Sequence, residues 1–224
     1  YFGGTALLIV VGVGLDLISA VSVRVNGFHN EVRDLIDTQP VARKTNGQQV
    51  FSYFNRGRVF TRGVEAELTW QAADPLQLAV SYTYLQANDR DVLDDLNAGR
   101  VYRRTESGRD VQVTSSAYGG LPGRSRHRAT ARLNYRYAPL GLTVDARARY
   151  RGRYGFSDQN SNGIIDIDSE YAPSYTVVDL TLTKTLFDNQ ALQVGAQNLT
   201  DHTAPQYVPF LSGRTWFVGL RAQF

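Results

Sequence analysis

The chain has 224 residues, 42% of them hydrophobic, with a mean hydropathy of -0.30 and no Cys. The lack of cysteine excludes a disulfide framework and a thiolate metal site, and no run of 18 apolar residues reads as a membrane helix. The 24 Lys and Arg against 21 Asp and Glu leave only +3, too mild to argue for nucleic acid, and no aromatic-basic platform supports that partner.

The sequence opens Tyr-Phe-Gly-Gly, with no Met and no charged-then-apolar leader, which reads as a mature piece or a fragment of a longer product. Period-two alternation predicts strands near 4–13, 17–37, 50–71, 76–88, 125–137, 142–156, 174–186, 190–199 and 213–224. The first contains TALLIVVGVG, apolar on both faces, which suits a strand covered on its inner side; residues 1–16 match no motif. In 76–84, Leu76, Leu78, Val80, Tyr82 and Tyr84 alternate with Gln77, Ala79, Ser81 and Thr83. In 127–137, His127, Ala129, Ala131, Leu133, Tyr135 and Tyr137 alternate with Arg128, Thr130, Arg132, Asn134 and Arg136. Next, TVDARARYRGRY (143–154) sets Arg147, Arg149, Arg151 and Arg153 on one face and Val144, Ala146, Ala148, Tyr150 and Tyr154 on the other. Val178, Leu180 and Leu182 alternate with Asp179, Thr181 and Thr183, and the chain ends with Trp216, Val218, Leu220, Ala222 and Phe224 on a single face. Half-apolar strands of this kind escape a hydropathy scan but build a transmembrane barrel, lipid on one face and lumen on the other.

The joins sort by length. Short ones fall near 14–16, 72–75, 138–141 and 187–189, and long ones at 38–49, 89–124, 157–173 and 200–212. Outer-membrane barrels show this asymmetry, with short turns periplasmic and long loops outside. On that orientation Trp70, Tyr135, Tyr137 and Phe224 form a lower aromatic girdle, and Tyr82, Tyr84, Tyr150, Tyr154 and Trp216 an upper one.

RVFTRGVEAELTW (58–70) and NLTDHTAPQYVPFLSGRTWFVGLRAQF (198–224) resemble the late barrel strands and C-terminus of TonB-dependent outer-membrane receptors, over roughly residues 25–224. The resemblance implies an all-β, antiparallel transmembrane β-barrel, with this chain supplying about nine C-terminal strands of a probable 22. The plug domain and the TonB-contacting segment, or TonB box, then lie outside the chain. Nine strands cannot close a usual bacterial barrel, so the missing partners come from elsewhere. The implied location is the bacterial outer membrane, with membrane lipid, lipopolysaccharide, the plug, the TonB complex and a small-molecule nutrient as partners. The implied function is energy-coupled import of a siderophore-bound iron, another metal chelate, a cobalamin or a glycan. A passive porin-type channel and a secreted β-sandwich adhesion module are the alternatives; the latter needs a soluble core that outward Tyr, Val and Leu faces deny it.

Four groups of residues stand out. The resemblance gives Glu65, and with it Glu67, a lumenal contact to arginines of the plug. Arg128, Arg132, Arg136, Arg147, Arg149, Arg151 and Arg153 form a lumenal basic face; pairing Tyr137 with Leu142 across the APLG turn sets Arg132 opposite Arg147 and Arg128 opposite Arg151. Like charges directly opposed require counter-charges, which acidic plug residues, salt or an anionic ligand would supply. Trp216, Val218, Leu220 and Phe224 resemble the signal read by the barrel-assembly machinery. In DQNSNGIIDID (158–168), Asp158, Asn160, Asn162, Asp166 and Asp168 make a candidate calcium loop, although Ser169 stands where an EF-hand loop wants Glu. No other cofactor is expected. An enzyme is not expected either, because His29, His127 and His202 lack ligand spacing and no phosphate loop or nucleophile elbow is present. The long segment 89–124 is the expected ligand-contacting loop.

Overall fold

A computed structural model describes residues 7–18, 20–45, 49–105, 107–187 and 190–222. In chain order the elements are β1 (Leu7–Ile18), β2 (Val21–Arg43), β3 (Gln49–Ala73), β4 (Leu76–Asp89), α1 (Arg90–Asn97), β5 (Tyr102–Arg104) and β6 (Asp110–Gln112). They continue with β7 (His127–Tyr137), β8 (Leu142–Arg151), β9 (Tyr154–Gly155), β10 (Tyr171–Ala172), β11 (Tyr175–Phe187), β12 (Gln190–Gln197) and β13 (Thr215–Ala222). Nine strands pair as neighbours in one antiparallel sheet, ordered β1-β2-β3-β4-β7-β8-β11-β12-β13, which is not closed among the described residues. The pairs β5–β6 and β9–β10 form two small sheets at the long-loop end.

The register follows the alternation. Tyr137 pairs with Leu142, Arg132 with Arg147 and Arg128 with Arg151. One hydrogen-bonded row runs Trp70, Leu78, Leu133, Ala146, Leu180, Ala196, Trp216, all on the apolar face. Strand tilts of about 35–45° in such barrels, with strands about 4.8 Å apart, turn a row of this width into an axial climb of roughly 20 Å. Trp70 and Trp216 can therefore share a row and belong to different girdles. Val80, Tyr82, Tyr84, Tyr150, Trp216, Val218 and Leu220 are all exposed on this face. On the opposite face, the rings of Phe28 and Phe217 lie across Gly63 and Gly195, their direct cross-strand partners, leaving no room for a Cβ there.

Several boundaries differ from the sequence reading. Strand β1 continues to Ile18, which pairs with Val21, so the first short join falls after Ile18 and not at 14–16. The join read as a long loop at 38–49 is mostly strand: β2 and β3, of 23 and 25 residues, stay paired out to Arg43 and Gln49, leaving only 44–48 between them. Alternation fades in 38–49 because its apolar residues, Val41 and Ala42, are adjacent rather than alternating and stand among polar residues and Pro40, which together read as a loop. Three long connections remain, 90–126, 152–174 and 198–214. Strand β8 ends at Arg151; Gly152 still donates its N–H to the His127 carbonyl at 2.8 Å, and beyond it the chain turns into β9.

Buried apolar packing concentrates at the long-loop end. Leu96, Val113, Tyr118 and Ile164 form one cluster with Val92, Leu93, Val101 and Ala117 around them, and Val59, Ala87 and Leu121 form another with Leu35 and Leu85. The connections 90–126 and 152–174 thus fold on each other into a cap with its own core.

Candidate functional site

The lumenal face of β7 and β8 is the most strongly charged surface of the sheet. Its side chains follow from the pleat: every second residue from Arg128 to Arg136 and from Thr143 to Arg151 projects to one side. The few carboxylates present are engaged. Asp179 accepts from Arg149 Nη2 at 3.0 Å and from the Asn198 N–H at 3.0 Å, while Asp145 accepts from Asn134 Nδ2 at 2.6 Å. Arg151 is drawn toward the cap, donating to the Gly123 carbonyl at 2.9 Å with its guanidinium 3.8 Å from the Tyr154 ring centre.

Two residues assigned to these faces lie elsewhere. Arg153 is off the lumenal row: it donates to Asp168 at 2.8 Å and stacks on Tyr171 at 3.9 Å, because β8 has already ended. Tyr154 is only 4% exposed and donates to the Tyr207 carbonyl at 3.1 Å, so it belongs to the cap and not to an outward girdle. Phe224 lies outside the described residues, whereas Trp216, Val218 and Leu220 project from β13 on the apolar face, 67%, 73% and 70% exposed.

Glu65 and Glu67 stand on the lumenal face of β3, opposite Thr83 and Ser81. Arg24 reaches Glu67 at 3.4 Å, with both side chains more than half exposed, which is an ion pair of little energetic weight. Glu65 has no hydrogen bond among the described residues.

The cap holds together through polar groups that alternation did not reveal. Asp89 ends β4 and caps α1, accepting from the Asp91 N–H at 3.0 Å; Arg56 reaches its other oxygen at 3.4 Å and Asp37 at 3.5 Å. Arg58 clamps Asp91 and Asp94 of α1, so the tall β2–β3 hairpin and the helix stand as one piece. The Asp89 N–H donates to the Tyr118 hydroxyl at 3.3 Å, and burial pushes that hydroxyl up to about 12. Gly120 has φ +83, and a Cβ there would meet the Ala87 carbonyl at 2.5 Å. Local signals existed for some of this, since Asp89 precedes an acidic first turn as an N-cap should; the pairing with Arg56 had none.

The loop read as a calcium site spends its oxygens internally. Asp158 accepts the N–H groups of Ser161 and Gly163, each at 2.7 Å, while Asn160 and Asn162 both donate to Asp166. The other Asp166 oxygen accepts from Arg103 at 3.3 Å, and Asp168 points away at 95% side-chain exposure. At the centre is Glu170, 1% exposed, whose carboxylate accepts four backbone N–H groups, from Gln159, Asn160, Asp166 and Ile167. Among the described residues no three His, Cys, Asp or Glu side chains cluster at a metal-binding distance.

A nine-stranded meander with one apolar and one charged face, short turns at one end and a folded cap at the other, defines a segment of a transmembrane barrel wall. The family model for TonB dependent receptor-like β-barrels matches residues 11–199, and the chain belongs to that family. The family is one of outer-membrane receptors and transporters, not of enzymes. Among solved structures, the fold is similar to a variant of the ferric enterobactin receptor of Pseudomonas aeruginosa, at 19% identity and TM-score 0.65, covering 99% of this chain and 31% of that one. It is also similar to the ferric-catecholate import receptor Fiu of E. coli K12 (16%, TM-score 0.62, 98% and 27%) and to the copper transporter OprC (15%, TM-score 0.62, 98% and 31%). The chain thus spans about a third of the length of these structures. No curated protein matches it.

Proposed function

We propose that the chain is the C-terminal part of the barrel wall of an energy-coupled receptor that imports a scarce nutrient: a ferric siderophore, another metal chelate, a cobalamin or a glycan. The family match over residues 11–199 carries this reading, and the names of the similar structures, two ferric-chelate receptors and a copper transporter, agree with it. The short turns face the periplasm, and the cap built from 90–126 and 152–174 faces outward and meets the nutrient first. A plug domain supplied from outside this chain fills the lumen. Glu65, which has no hydrogen-bond partner among the described residues, receives an arginine of that plug, with Glu67 beside it. The β13 residues Trp216, Val218 and Leu220, ending at Phe224, serve assembly into the membrane, so deleting Phe224 should lower surface levels far more than ligand affinity.

The decisive experiment is nutrient accumulation in cells carrying the complete receptor. Deleting TonB should abolish accumulation while surface binding persists; uptake that survives the deletion would make the barrel a passive channel. Protease added to intact cells should cut within the cap and spare the turns at 74–75 and 138–141.

A further inference from the structure

Three Asn–Gly steps occur in the chain, at Asn26, Asn46 and Asn162. Such a step is chemically weak, because a glycine has no side chain to shield its own backbone nitrogen from the side-chain carbonyl of the preceding Asn. Asn26 and Gly27 are held straight in the ladder between β1 and β3, and Asn46–Gly47 lies outside the described residues. Asn162–Gly163 stands in the turn of the cap loop, Gly163 being exposed, with φ +85 and nothing within 4 Å of where a Cβ would be.

Each group that ring closure needs is already engaged. The Gly163 N–H, which must lose its proton, donates to Asp158 Oδ2 at 2.7 Å, within the reach a general base needs. The Asn162 side-chain oxygen, which must take up negative charge, accepts the Ile164 N–H at 3.1 Å, a fixed donor of the kind that stabilises an oxyanion. Nδ2 of the same side chain, the group that must leave, donates to Asp166 at 3.2 Å, so the amide is held in one orientation. We propose that Asn162–Gly163 is a self-modifying site: the folded cap converts Asn162 into aspartate and isoaspartate without an enzyme, and the product loosens the cap. The Gly163 nitrogen passes its proton to Asp158 and bonds to Asn162 Cγ, whose π electrons move onto Oδ1. The tetrahedral carbon then reforms its C=O and expels Nδ2, which takes that proton back through solvent and departs as ammonia. Water opens the cyclic imide at either carbonyl. The sum is one water consumed and one ammonia released, with no oxidant or reductant.

The product fits the loop less well than the amide. A carboxylate at 162 meets Asp166, whose side chain is 0% exposed, and like charges repel most where water is scarce. Isoaspartate also lengthens the main chain by a methylene just before Ile164, which is 6% exposed in the cap core with Leu96, Val113 and Tyr118. The outer cap thus carries a one-way clock.

The test holds the complete purified receptor in neutral buffer and samples it over time. After trypsin, the peptide that starts at Tyr154 contains only this Asn–Gly step; mass spectrometry follows loss of the amide, and labelling by an isoaspartyl methyltransferase reads isoaspartate. Conversion at Asn162 is expected at least as fast as in a synthetic peptide of residues 155–168, with none at Asn26. Asp158→Asn should slow it several-fold, and Asn162→Gln, whose larger ring closes far more slowly, should stop it. An Asn162 that survives in the receptor while the peptide converts overturns the proposal. So does faster conversion in Asp158→Asn, because that carboxylate then guards the bond. If limited proteolysis shows the cap of Asp158→Asn unfolded, the comparison with the free peptide decides. Protease should cut 152–174 sooner in the aged receptor and in Asn162→Asp than in fresh protein; equal rates would overturn the loosening.

Discussion

Strand β8 and the loop that follows it differ in where their stability resides. Along β8 the side chains alternate between two environments, and Tyr150 on one face and Arg147 on the other are both uncovered by protein. Fourteen residues beyond β8, Ile165 is 2% exposed and Glu170 1%. The wall is held by its backbone ladder, with lipid outside and lumen inside; the cap is held as a small water-soluble domain is, by an apolar cluster and satisfied buried polar groups. One substitution can therefore be severe in one region and silent in the other.

The largest effect should come from Glu170→Ala in the cap. It strips four backbone N–H groups of their acceptor, each worth about 1–3 kcal/mol when left buried and unpaired, so a local loss on the order of 4 kcal/mol is expected. Limited proteolysis should then cut 152–174 while heat-modifiable gel migration shows the barrel intact; loss of the barrel too would join the two regions into one cooperative unit. Next comes the wall. Val80→Arg, on the lipid face, should cost about 2–4 kcal/mol in unfolding from bilayers, whereas Ser81→Arg, its lumenal neighbour, should change little. Equal costs for the two would contradict the assignment of faces.

Gly120→Ala is expected to cost about 1–3 kcal/mol, since the left-handed backbone is strained with a Cβ and the methyl would strike the Ala87 carbonyl. Hydrogen exchange should rise at Leu121, whose N–H bonds that same carbonyl at 2.9 Å, and not along β8. The smallest effect is the response to pH. Tyr118 titrates near 12 in the folded cap against about 10 when free, so the folded cap holds the proton more tightly than the open one. Its contribution is complete below pH 10 and disappears as pH rises to 12. Absorbance at 295 nm should show late-titrating tyrosines, since burial raises Tyr154 and Tyr171 as well, and Tyr118→Phe should remove the latest of them.

The wall was legible in the sequence because a period of two needs no knowledge of neighbours. Arg132 opposite Arg147 follows from the APLG turn and a count of residues, and lipid simply takes whichever face is apolar. The same rule overreached at Arg153 and Tyr154, where alternation continues after β8 has stopped pairing, and it fell silent on residues 38–49, where the apolar Val41 and Ala42 are adjacent and Pro40 reads as a loop. TonB-dependent family membership was legible too, from GVEAEL and GRTWFVGLR. The cap was not. Asp89 with Arg56, Arg103 with Asp166 and Gly119 with Ile165 join residues 33 to 63 positions apart, and no periodicity encodes such pairs. The spacing of DQNSNGIIDID was legible, but that Asp158 accepts the loop's own amides and that Glu170 sits buried at its centre was not. Strand pairing repeats a local pattern that the sequence alone can determine; a loop core is made by segments meeting from different parts of the chain, and only the tertiary structure decides which polar group each one satisfies.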